Sequence, residues 1–208
     1  STAHDSSGNA KSGQLATAFI CGDTVTFTYK GSPVTYGTVK NTSSTECWMD
    51  RNLGATTTIP TAFNDDKGYG DLFQWGRLGD GHQTRNSGTR TDLSSSDTVT
   101  TTAFIYGMGS PYDWRNPQNN NLWQGVSGIN NPCPSGWRIP TEAEWTAERV
   151  SWTGGNNYTG AFASPLKLTA GGFRNYSSAS LFNVGTNGYY RSSTVSDIDA
   201  SYLYFLVS

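Results

Sequence analysis

Histidine and cysteine are scarce in this chain: two histidines, His4 and His82, and three cysteines, Cys21, Cys47 and Cys133, among 208 residues. No Cys-x-x-Cys occurs, so a zinc site lacks its ligands. An odd cysteine count leaves at least one thiol free or paired between chains. One disulfide is expected, with Cys47–Cys133 the preferred pair; the alternative is three buried thiols in a reducing compartment. Charge is sparse as well. Charged residues make up 14% and the formal net charge is -2, which excludes nucleic-acid or membrane-surface binding by bulk electrostatics. No apolar run approaches the roughly 20 residues that cross a bilayer. No signal peptide is visible, so an export signal is expected to have been removed or never present. No carboxylate spacing suited to hydrolysis stands out, and the chain reads as non-enzymatic. The sharpest absence is local. From Gly172 to Ser208 there is no Lys, Glu, Gln, Met or Trp, although their earlier frequency predicts about five in a segment of that length.

What is present is Gly, Ser, Thr, Asn and aromatic residues, a mix suited to short strands and many loops. Residues 1–20 read as a polar tail or connector, and 21–208 as one domain. Thr24-Val-Thr-Phe-Thr-Tyr29 alternates with period two, and with Val34-Thr-Tyr-Gly-Thr-Val39 it predicts a hairpin around Gly31-Ser-Pro33. Trp48, Met49 and Leu53 are core candidates, and Asp50-Arg51 a candidate ion pair. Leu72, Trp75 and Leu78 share a helical face, predicting a short helix that ends near Gly79. Asp80 to Asn131 predicts a long irregular insertion, pinned by Phe104, Tyr106, Trp114, Leu122 and Trp123. In Asn131-Pro-Cys-Pro-Ser-Gly-Trp-Arg-Ile-Pro-Thr-Glu-Ala-Glu-Trp145 three prolines forbid helix up to Pro140. Thr141 and Glu144 then predict a capping box and a helix to about Trp152. Strands are expected at Leu166–Ala170, Tyr189–Ser193 and Ala200–Val207, with turns at Asn183, Gly185 and Asn187-Gly188.

Five of these blocks, in order, carry a resemblance: Cys47-Trp-Met-Asp-Arg-Asn-Leu, Tyr69-Gly-Asp-Leu-Phe-Gln-Trp, the Asn131–Trp145 stretch, Leu168-Thr-Ala-Gly-Gly-Phe-Arg and Gly188-Tyr-Tyr-Arg-Ser-Ser-Thr. Together they resemble the Fibrobacter succinogenes major paralogous domain family, related to the formylglycine-generating-enzyme branch of the C-type lectin fold. The resemblance runs from about Val34 to Phe205. It implies an α+β domain with two helices, short antiparallel strands and long loop-rich insertions. The family pattern Tyr-Trp-Ser-Ser is here Tyr190-Arg191-Ser192-Ser193. The late cysteine pair of formylglycine-generating enzymes is missing, as are the calcium-lectin motifs Glu-Pro-Asn, Gln-Pro-Asp and Trp-Asn-Asp. No cofactor is expected; a structural calcium would draw on Asp65, Asp66 or Asp71.

The depleted C-terminal segment is similar to those of variable proteins diversified by retroelements, which mutate template adenines. An AAC codon changed at its first two positions yields Tyr, Phe, Ser, Asp, Ile, Leu, Val, Gly or Arg. It never yields Lys, Glu, Gln, Met or Trp. The bland alternative is a strand-and-turn segment that favours Tyr, Ser, Phe and Val. Period two puts Leu203 and Phe205 on one strand face, toward the core in the family pattern, and Tyr202, Tyr204 and Leu206 on the other. Such Tyr-rich surfaces resemble antibody paratopes. The expected ligand-binding residues are Phe173, Tyr176, Phe182, Tyr189, Arg191, Asp197, Ile198, Asp199, Tyr202, Tyr204 and Leu206. The expected partner is a protein or glycan on another cell, met from a bacterial surface or a phage fibre tip. Nucleic acid and direct membrane insertion are not expected. The competing readings are an enzyme relic and a purely structural envelope module.

Overall fold

The computed structural model describes residues 20–41, 46–57, 59–107, 109, 112–196 and 199–207. The Thr/apolar alternation becomes β1 (Thr24–Tyr29), antiparallel to β2 (Ser32–Lys40) in the register Tyr29↔Ser32. The two-residue turn is Lys30-Gly31, both at positive φ, 51° and 78°, the turn sense that follows strand twist. β2 also pairs with β3 (Cys47–Met49), giving a three-stranded antiparallel sheet. Asp50 and Arg51 do pair, Oδ1 to Nε at 2.7 Å.

The expected Cys47–Cys133 disulfide is not formed. Cys47 is bonded to Cys21, with Cα atoms 5.7 Å apart, and Cys133 is free. The pairing follows from the sheet. The Gly22 amide donates to Thr38 Oγ1 at 2.9 Å, which brings the chain before β1 alongside β2 and, through it, β3. Burial pushes the Cys133 thiol up to about 12, so it stays protonated and poorly nucleophilic.

The helix expected around Leu72 is absent. A short 3-10 turn at Asp66–Gly68 precedes turns and extended backbone. Gly70 and Gly76 sit in the left-handed region, at φ 68° and 74°, and interrupt any helical run. Trp75 is buried but Leu78 faces solvent. Among its described residues the insertion is irregular apart from β4 (Thr89–Arg90), paired in parallel with β5 (Phe104–Ile105), and a single parallel bridge between Ser94 and Arg115. It holds its own small core of Ile105, Trp114 and Leu122. Buried Arg77 satisfies it from the body side, donating to the carbonyls of Thr101 at 2.7 Å and Ala103 at 2.9 Å. A long loop is thus ordered by having its backbone acceptors filled.

The three-proline stretch leads into α1 (Glu142–Val150), which opens with the predicted capping box of Thr141 and Glu144. A second helix, α2 (Tyr158–Ala163), is capped by Asn157. Leu166–Ala170 is not a strand. Lys167 has φ 50°, and the stretch packs as irregular chain with Leu166, Leu168 and Ala170 buried. β6 (Phe173–Arg174) pairs with β7 (Leu181–Phe182), and β8 (Asn187–Ser196) with β9 (Asp199–Leu206), both antiparallel. Asn187-Gly188, expected as a turn, opens β8 instead.

Among the described residues the architecture is therefore mixed α+β: two short α-helices and several small, mostly antiparallel strand pairs. The main core lies between the helices and one face of the β8–β9 ribbon. It joins Trp48, Trp145, Trp152, Leu168, Leu203 and Phe205, each large side chain contributing roughly 1.5–3 kcal/mol by burial. Among the described residues no helix is long and apolar enough to cross a membrane.

Candidate binding face

The β8–β9 ribbon sorts its side chains by period two. Gly188, Tyr190, Leu203 and Phe205 face the core. The cross-strand pairs Asn187↔Leu206, Tyr189↔Tyr204 and Arg191↔Tyr202 occupy the other face, where Tyr202 is 52% and Tyr204 37% exposed. Tyr189 is the hub. Its ring lies 4.8 Å from Phe173, 5.0 Å from Tyr204 and 6.0 Å from Tyr202. Phe173 in turn stacks on exposed Phe182 at 5.7 Å. Five of the sequence-predicted residues thus form one continuous aromatic surface.

The rings are held in place before any ligand arrives. Asn183 Nδ2 donates to the Tyr189 hydroxyl at 2.9 Å, and Asn187 Nδ2 to the Tyr204 hydroxyl at 2.8 Å. A side chain already fixed loses less entropy on binding, which favours affinity. The strand beneath is fixed as well. β8 shifts register between Arg191 and Val195, which frees backbone groups from the ladder. Trp145 Nε1 donates to the Arg191 carbonyl at 3.0 Å, Trp75 Nε1 to the Ser192 carbonyl at 2.9 Å and Gln124 Nε2 to the Ser193 carbonyl at 2.7 Å. The Ser193 amide donates to the Pro140 carbonyl at 2.8 Å, and the Glu142 amide to Thr194 Oγ1 at 3.0 Å. The Pro140–Trp145 entry to α1 therefore clamps the bulged part of the strand that carries the face.

The other expected residues fall less uniformly. Arg191 and Leu206 are exposed on the ribbon's outer face. Tyr176 is exposed in the β6–β7 connection, where its ring lies 4.9 Å from that of Tyr112. Asp197 and Ile198 lie outside the described residues, and of Asp199 only the backbone, paired with Ser196, is described. Exposed Leu181 and Val184 flank the aromatic surface and were not singled out from the sequence. Both belong to the depleted segment, so its composition could have flagged them.

The electrostatics are muted. Arg191 is the only cation among the expected face residues. Burial pushes the half-buried Asp113 carboxyl up to about 6, against the amides of Trp114 and Arg115 and the charges of Arg115 and Arg191. Asp65 caps the 3-10 turn, accepting from the Lys67 amide, and Asp71 accepts the Tyr29 hydroxyl and pairs with Lys30. Among the described residues no three His, Cys, Asp or Glu side chains gather to hold a metal ion. The Asp80–His82 pair looks like half of a catalytic triad, but Nε2 of His82 already accepts the Gln74 amide at 3.0 Å. That nitrogen has no lone pair left for a substrate proton. What the face offers is aromatic contact area, apolar flanks and one guanidinium. No protein-family model, no curated protein and no solved structure gives a significant match to the chain.

Proposed function

We propose that this is a non-enzymatic binding domain of C-type lectin fold, of the Fibrobacter succinogenes major paralogous domain type. It recognises a protein or glycan on another surface through its Tyr-rich C-terminal ribbon. The observation that carries the reading is the Tyr189-centred aromatic face. It is continuous, exposed at Phe182, Tyr202 and Tyr204, and built wholly within the segment that lacks Lys, Glu, Gln, Met and Trp. Contiguous exposed aromatic surface is uncommon on proteins that bind nothing. A purely structural envelope module offers no reason for it. The segregation of outward Tyr202 and Tyr204 from inward Leu203 and Phe205 lets outer residues change without touching the core, as diversification of the segment requires. The Cys21–Cys47 disulfide fits an oxidising setting such as a bacterial surface or a phage particle.

The test is capture on arrays of defined glycans and displayed bacterial envelope proteins. The double variant Tyr202→Ala/Tyr204→Ala is expected to lose capture while melting within about 3 °C of wild type, since both side chains face solvent. Unchanged capture would place the site elsewhere. Sequencing sibling copies tests diversification separately: substitutions should cluster after Gly171, and an even spread along the gene would refute it.

A further inference from the structure

Tyr112 is an exposed aromatic residue outside the depleted segment. It is a bulky residue at φ 60°, a conformation such side chains rarely adopt, with its amide tied to the Gly109 carbonyl at 2.9 Å. Its ring lies 4.9 Å from that of Tyr176, and each residue is 49% exposed. The chain connectivity and a backbone hydrogen bond set the pair beside β6 and β7. Tyr176 sits between β6 and β7, which carry Phe173 and Phe182, and its carbonyl receives the Gly107 amide from the insertion at 2.9 Å.

We propose that Tyr112 and Tyr176 extend the ribbon's aromatic face onto the insertion, and that the extended face takes a folded protein surface. This rests on the ribbon being the binding face. Two observations favour a protein over a sugar chain. The rings around Tyr189 are tilted by 44° to 64° to one another, so they do not form the flat platform along which successive sugar rings would stack. The hydroxyls of Tyr189 and Tyr204 each already accept from an asparagine amide, which leaves one fewer acceptor site on each for sugar hydroxyls. An uneven aromatic relief suits the packed apolar centre of a protein interface. Tyr112 lies outside the depleted segment, so it would serve as a fixed anchor beside residues free to change.

The probes are a yeast-displayed library of bacterial envelope ectodomains and an array of defined glycans. Each is presented with the wild-type chain, Tyr112→Ala, Tyr112→Gly, Tyr112→Phe, Tyr202→Ala/Tyr204→Ala and the exposed-surface control Val150→Ala. Glycine suits the left-handed backbone, so Tyr112→Gly keeps the test open if the alanine variant misfolds. The expected result is a displayed protein that binds wild type and is lost with the Tyr202/Tyr204 variant. Its Kd should weaken at least about fivefold on loss of the Tyr112 ring, as for an aromatic hot spot, and change little for Tyr112→Phe or Val150→Ala. A protein held through Tyr202 and Tyr204 but indifferent to Tyr112 overturns the extension and leaves the ribbon reading intact. Tyr202/Tyr204-dependent binding confined to glycans overturns the commitment to a protein. Absence of such binding on both supports overturns the two readings together.

Discussion

Replacing Gly188 with alanine tests how tightly the ribbon is seated on the core. Gly188 faces Phe205 across the strand pair, on the inner side, and Phe205 is 1% exposed. A Cβ on Gly188 would overlap the Phe205 ring. Gly188 is not among the positive-φ residues, so the obstacle is steric and not conformational. The ring has little room to retreat. It stacks on Tyr190 at 6.1 Å with an interplanar angle of 22°, and meets Trp152 edge-on at 5.9 Å and 80°. Tyr190 is itself fixed, its hydroxyl accepting the Thr169 amide at 2.7 Å and donating to the Thr169 carbonyl at 2.8 Å. Overpacking a core by one methyl destabilises by about 1–3 kcal/mol. For a chain of this size each kcal/mol moves Tm by about 2–4 °C, so a fall of about 2–12 °C is expected. Without the clash the same substitution in a strand would stabilise by roughly 0.5–1 kcal/mol, so even the sign is informative. The assay is urea unfolding followed by tryptophan fluorescence, with calorimetric Tm, on Gly188→Ala, Phe205→Leu and the double variant. The smaller side chain should relieve the clash, giving a coupling of about 1 kcal/mol between the two sites. An unchanged or raised Tm for Gly188→Ala, or strict additivity in the double variant, would refute the reasoning.

Removing the Cys21–Cys47 disulfide, which closes a separation of 26 residues, should destabilise by about 3 kcal/mol on the chain-entropy account. Alkylation of the unreduced, denatured chain should label Cys133 alone, and label on Cys47 would contradict the pairing. The pH dependence of stability should carry a signature of His82. Burial holds its pKa below the ordinary range, outweighing the Asp80 bond that would raise it. The fold thus prefers neutral His82, while the unfolded chain takes up a proton below about pH 6.5. Its contribution is fully present above that pH and is lost as pH falls toward the lower folded value. Asp113, raised to about 6 by burial, acts in the opposite sense, contributing stability that fades as pH rises, so the comparison must be between variants. Between pH 7.5 and 5.5 the Tm of His82→Gln should fall less than that of wild type; parallel curves would show that His82 does not titrate across the transition.

Elements whose signals are local were legible in the amino-acid order alone. The Thr/apolar alternation made β1 and β2. The Thr141–Glu144 spacing made the cap of α1. Period two in Ala200–Val207 divided Tyr202 and Tyr204 from Leu203 and Phe205, because a strand turns each successive side chain to the opposite face whatever else surrounds it. Tertiary structure decided the rest. The helical spacing of Leu72, Trp75 and Leu78 lost to two glycines in left-handed conformations, and the buried run at Leu166–Ala170 packed as irregular chain around Lys167. Cysteine pairing depended on the three-stranded sheet, which places Cys21 beside Cys47, a proximity that no spacing encodes. The same holds for the face. Phe173, Phe182 and the ribbon tyrosines shared one compositionally unusual segment and could be grouped from the sequence. Tyr112 reaches Tyr176 only because the insertion folds back along β5 and the β6–β7 connection, and contacts between distant parts of a chain are set by packing.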